Sequence, residues 1–234
     1  MSRFQSLLLT LVCVGFSSSL YAVDGVVLID QNRALAGNVT PGDAAGFPIT
    51  ISVSGSYRLS GNLTVPDRFT TAIEITADNV TIDLNGFSIS GPTVCTHSSA
   101  GVTCVNHGNG HGVTGNHDGL TVVNGTIRGM GAAGVFLGGS DIHIERVRAV
   151  SNGNEGIRIQ GTGIVSGSSA TLNRFTGIFT FSATVTGNFA ESNGDRGIFV
   201  AQCPSAVIGN TAIFNSGQNI ETSGSNCTVA HNAQ

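Results

Sequence analysis

A short repeat constrains this chain more than any other feature. "GVFL", "GIRI", "GIFT", "GIFV" and "NIET" begin at Gly134, Gly156, Gly177, Gly197 and Asn219, giving spacings of 22, 21, 20 and 22 residues. Asn152, Asn173, Asn193 and Asn215 stand four residues before the last four of them. Ile144, Val165, Val185 and Val207 stand eight residues before those asparagines, and Val229 continues that series. A period this short leaves no room for a helical pair, and it carries no leucine-rich signature. It does hold three short strands with their turns. Each repeat therefore predicts one coil of a parallel β-helix, an all-β solenoid.

Composition agrees with stacked strands. The 234 residues include 33 glycines but only 10% charged residues, with neither lysine nor tryptophan. Gly, Asn, Ser, Thr, Val and Ile suit short strands and tight turns better than amphipathic helices. The formal net charge of −4 argues against a phosphate-tracking surface, so no nucleic acid partner is expected.

Residues 1–22 read as a secretory signal. Arg3 supplies a positive start, Leu7 to Phe16 an apolar core, and Ala22 a cleavage point. The apolar run is shorter than the roughly 20 residues a membrane span needs. A secreted or periplasmic protein with no membrane span is the expectation. Past that point four cysteines remain, an even count that suggests two disulfides in an oxidising compartment. Cys203 and Cys227 are 24 residues apart, close to one coil, and stacked strands about 4.8 Å apart suit a disulfide. Cys95 and Cys104 then pair within one loop.

Residues 23–47 lack the repeat and are expected to cap the N-terminal end, with the β-helix running over 48–234. Ile73 to Val113 spans 40 residues where one coil explains 22, so about 18 are inserted. Ile82 to Val122 gives the same difference. The excess falls in a Gly/Ser/Thr/His-rich loop at 92–110. The inward column then runs Ile73, Val113, Val135, Ile157, Ile178, Ile198 and Ile220, about seven coils or roughly 35 Å. Ala149, Ala170, Ala190 and Ala212 form a column of small residues, and Asn188, Asn210 and Asn232 an asparagine ladder. No C-terminal cap is visible, which predicts either a fraying last coil or cover by a partner, self-association included.

At "ITADNVTIDLNGFSISGP" and "VTGN…NGDRGIFV" the chain resembles the right-handed parallel β-helix superfamily, which includes pectate-lyase-like enzymes and many secreted repeat proteins. The resemblance runs from Ile49 to the C-terminus and implies the handedness of the coil. It does not imply an activity. The "NTD", "DD" and "RIK" motifs of polygalacturonase-like members are absent, and there is no lysine to serve a lyase.

Two constellations carry possible chemistry. Asp78 and Asp118 occupy the same turn of successive coils, with Asp141 nearly in line. Stacked carboxylates can raise one pKa and divide into general acid and general base, or hold Ca²⁺, or serve turns. His107, His111 and His117 have a spacing open to a metal, and His117 beside Asp118 is open to proton transfer. No cofactor follows from these patterns. The third feature is an outward column in the "G-I-x-I" strands: Glu74, Thr114, Phe136, Arg158, Phe179, Phe199 and Glu221. Phenyl faces stack on sugars, and a free Arg158 would suit a uronate. The expectation is a contact face for an acidic polysaccharide or a cell-surface partner. Catalysis by a lyase, hydrolase or epimerase, and a structural or adhesin-type role, are the alternatives.

Overall fold

The computed structural model describes residues 25–234, so the segment read as a secretory signal lies outside the described residues. The described chain winds into about eight coils of short parallel strands, and three sheets run along its length.

The first sheet stacks Ile49–Ile51, Ile73–Ile75 and Val113–Asn116 beneath the strands that begin at Val135, Ile157, Ile178, Ile198 and Ile220. Its register pairs Ile73 with Val113, Val113 with Val135, and so on through Ile220. The expected inward column is therefore in place, with Ile49 as an eighth rung below it. Every member up to Ile198 is fully buried. The second sheet opens with Val26–Ile29 and Gly55–Leu59 and runs to Thr228–Ala230. The third runs from Leu63–Thr64 to Thr211–Ile213 and carries the buried alanine column.

Val26–Ile29 joins the sheet although its sequence shows no inward alternation. Only Ile29 of the four is fully buried, so this strand had no periodicity to reveal. A six-residue helix, Gln31–Ala36, follows. The Asp30 carboxylate accepts the Arg33 N–H at 2.8 Å to cap it, and Ala34 is buried against the core.

Sharp bends separate the second and third sheets, and one left-handed residue per coil makes each bend. Asn124, Arg146, Gly167, Gly187, Gly209 and His231 form this column, with φ between 52° and 66°. Another left-handed residue ends the third-sheet strand: Gly129, Ser151, Leu172, Ser192 and Phe214. This conformation costs a non-glycine residue about 1–2 kcal/mol. The asparagines that follow Ser151, Leu172, Ser192 and Phe214 provide the offset. Asn173 accepts from both the backbone N–H and the side-chain amide of Asn152, and it donates to the Ala149 carbonyl and to Asn193. Asn193 and Asn215 repeat the pattern. A second ladder runs Asn188, Asn210, Asn232.

Both disulfides have the expected pairing, Cys95–Cys104 and Cys203–Cys227. The insertion is more ordered than a loop. Val94–Ser98 and Gly101–Val105 pair as an antiparallel hairpin with the two cysteines opposite each other. The hairpin lies lengthwise across the turns that lead into the first sheet. Its contacts show how close the approach is: Cys95 Sγ lies 3.7 Å from the Asn152 carbonyl oxygen, and a Cβ added on Gly194 would stand 3.3 Å from the Val102 Cβ. At the tip, one on Gly101 would stand 3.1 Å from Ser216 Oγ. The hairpin thus straps successive coils together. No described helix is long and apolar enough to cross a membrane.

Candidate functional site

The outward column appears on the first sheet in the expected order. Glu74 pairs with Thr114, Thr114 with Phe136, Phe136 with Arg158, Arg158 with Phe179, Phe179 with Phe199, and Phe199 with Glu221. Alternation along a strand makes this unavoidable, because Ile157 and Ile159 face inward and leave Arg158 outside. The four central side chains are half-buried and stack along the axis. The Arg158 guanidinium sits 5.4 Å from the Phe136 ring centre and 4.7 Å from that of Phe179. Phe179 and Phe199 meet edge to face at 5.5 Å, and Arg196 covers Phe199 at 4.5 Å.

Both arginines are already paired. Arg158 Nη1 donates to the buried Glu155 at 2.6 Å. Arg196 bonds Glu221 and, at 2.7 Å, Asp195. The Glu221 bond holds the Arg196 guanidinium above its ordinary value; burial opposes it, and the charges of Asp195 and Glu221 add to it. Arg158 thus has a carboxylate partner within its own chain.

Beside Phe136 the face opens into a cleft of about 440 Å³, lined by Glu74, Thr114, Asn116, His117, Phe136 and Gln160 among others. A larger hollow of about 860 Å³ lies at the N-terminal end between Val26–Leu28 and Val53–Tyr57, and among the described residues Arg33 is its one charged lining residue.

The structure brings Asp78, Asp118 and His117 together but divides their contacts differently from their order in sequence. His117 Nδ1 bonds Asp78 at 3.1 Å, not its neighbour Asp118. Asp78 also accepts the Asp118 N–H at 3.1 Å, and Asp118 accepts the Ser140 N–H at 2.7 Å. Each carboxylate thus closes a turn of the next coil. The Asp118 amide, and after it His117, hold Asp78 below the ordinary carboxylate range. That direction is opposite to the one a general acid needs. Ser140, rather than Asp141, continues the column, and Asp141 is exposed one residue along.

The histidines separate. His107 lies 3.4 Å from an Arg174 guanidinium nitrogen, while the His111 ring packs on Phe136 at 5.1 Å. Among the described residues no three His, Cys, Asp or Glu side chains gather as a metal would require. Gly110-His111-Gly112 does form the Gly-His-Gly tripeptide of polygalacturonase-like members, which the reading of motifs from the sequence passed over. Its histidine, however, bonds no carboxylate among the described residues, and burial holds its pKa below the ordinary value. It acts as the end ring of the aromatic stack.

Sequence reasoning missed Glu155, Arg196 and Gln160. Glu155 alone had a visible signal, standing three residues before Arg158 on the approach to its strand.

Residues 109–233, more than half of the chain, match the family model described as the right handed beta helix region. No curated protein matches the chain, and no solved structure does. With its coils, three parallel sheets and axial asparagine ladders in place, the chain belongs to the right-handed β-helix family.

Proposed function

We propose that this protein is a secreted carbohydrate-binding β-helix whose ligand lies along the axis on the Phe136–Arg158–Phe179–Phe199 stack. The observation that carries the reading is the juxtaposition of that stack with the cleft. Aromatic faces supply the apolar contact a sugar ring needs, while amides, hydroxyls and a carboxylate beside them supply hydrogen bonds. Secretion is supported by the residues read as a signal and by the two disulfides.

A glycan array followed by calorimetry on the hits tests this. The double variant F179S/F199S removes two stacking contacts of about 1 kcal/mol each, so roughly 30-fold weaker binding is expected with the fold retained. Undiminished binding by a folded double variant counts against the stack.

A second reading, turnover of the bound chain by lyase, hydrolase or epimerase chemistry, draws on the Asp78–His117 bond at the cleft wall. The bond to Asp78 engages His117 Nδ1 and leaves its Nε2 as the ring nitrogen for proton transfer. Reducing-end and unsaturated-product assays distinguish the readings. Under turnover, H117A and D78N lose product release while binding persists; under binding alone, the native protein releases none.

A further inference from the structure

The charges around the cleft indicate what kind of glycan it takes. Among the described residues no arginine lines it, and His117 is tied to Asp78. Arg158 on the outward face and Arg196 over Phe199 are matched by Glu155, Asp195 and Glu221. Glu74 is exposed in the cleft lining, and among the described residues its side chain has neither an ion pair nor a hydrogen bond. Asp78, bonded to the lining His117, and Asp118 next to it in sequence add negative charge behind the lining. A polyuronide carries a carboxylate on every sugar and would meet like charge here, without the bidentate cation that recognises carboxylates.

The remaining groups suit hydroxyls. Thr76, Thr114, Asn116 and Gln160 both donate and accept, and Glu74 accepts through two oxygens. Phe136 forms the apolar floor at the point where the aromatic stack begins. We infer that the cleft takes an uncharged glycan and that Glu74 is the residue that selects it, accepting hydrogen bonds from a pair of neighbouring sugar hydroxyls. This inference rests on the carbohydrate-binding reading and names the ligand class within it.

The test titrates the full protein with uncharged gluco-, xylo- and galacto-oligosaccharides and with oligogalacturonates, each at low and high salt. Uncharged oligomers are expected to bind with little salt dependence, since no charge pair forms. Oligogalacturonates are expected not to bind at low salt. The E74Q variant keeps the shape but halves the acceptor capacity, and about tenfold weaker binding of the uncharged oligomer is expected. Oligogalacturonate binding that weakens with salt would overturn the ligand class and leave the carbohydrate reading standing. No binding of either class would overturn both, and unchanged affinity in E74Q would remove Glu74 from the role.

Discussion

The coils from Asn152 onward and the coils before it solve the same problem with different chemistry. In the later coils, turns are closed by neutral asparagines that bond one another along the axis. In the earlier coils those positions hold other residues. The ladder through Asn152 ends at the backbone N–H of Met130, and the one through Asn188 passes to Ser168 and ends at the Val147 N–H. Carboxylates close the early turns instead. Asp43 takes the Val39 and Thr50 N–H groups, and Asp83 takes the Asn85 N–H, Asn124 and Arg58. A self-propagating ladder fixes the same turn in every coil, because each amide must meet its copy 20–22 residues away. Coils that also build an end, an insertion and a cleft depart from it. The cleft sits at the junction, with Glu74, Thr114 and Phe136 from the earlier side and Gln160 from the later side.

The largest expected effect follows from the ladder. Asn173 is fully buried, and N173A would strand the backbone N–H of Asn152 and take a partner from its side-chain amide and from the Ala149 carbonyl, while Asn193 keeps the backbone N–H of residue 173. A loss of about 4 kcal/mol is expected in urea unfolding. The counterpart in the irregular part is N124A. Asn124 is half-buried, donates to Asp83 and accepts from Arg146, and about 1 kcal/mol is expected there. Equal costs for the two variants would break the contrast.

What was legible in the chain follows the same line. Both inward columns, the alanines, the outward Phe136–Arg158–Phe179–Phe199 order and the Cys203–Cys227 bond could be read from spacing, because neighbours in space lie one period apart. The hairpin's resting place could not. Gly101 meets Ser216 across 115 positions with no repeat to connect them. Partner choice inside the site was equally hidden: adjacency suggested His117 with Asp118, while coil register delivered His117 to Asp78. The pairing of Arg158 with Glu155 depends on rotamers, which spacing does not encode.

The two disulfides carry the comparison to an intermediate effect. Cys203–Cys227 closes a separation of 24 residues and ties adjacent coils, whereas Cys95–Cys104 closes one of nine inside the hairpin. Removing the first as C203S/C227S is expected to cost about 3 kcal/mol, read as lost amide protection in the last two coils. Removing the second as C95S/C104S should loosen residues 94–105 and leave the ladder coils protected. A uniform loss in either variant would mean that the coils and the strap unfold as one unit.

The smallest expected effect is the response to acid, and it separates the two chemistries directly. Asp67 is held below its ordinary value by the Phe69 N–H and then Thr70, and Asp78 by the Asp118 N–H and then His117. Burial pushes Asp83 up, but Asn124, the Asn85 N–H and Arg58 together bring it below the ordinary range. A carboxylate held below its unfolded pKa contributes stability that is complete above that value and is lost as pH falls through the folded one. The window therefore opens near about pH 4 and extends downward. The asparagine ladders contain no titrating group and should not respond there. Hydrogen exchange, corrected for intrinsic rates, is expected to show amides around residues 67–83 losing protection in that window while those at 152–215 keep theirs. Asp67 and Asp78 are well exposed, so the change should be modest, and D78N should flatten the part that belongs to its own turn. If the ladder coils lose protection at the same pH as the early turns, the neutral amides are not what holds the later coils, and the division between the two regions falls.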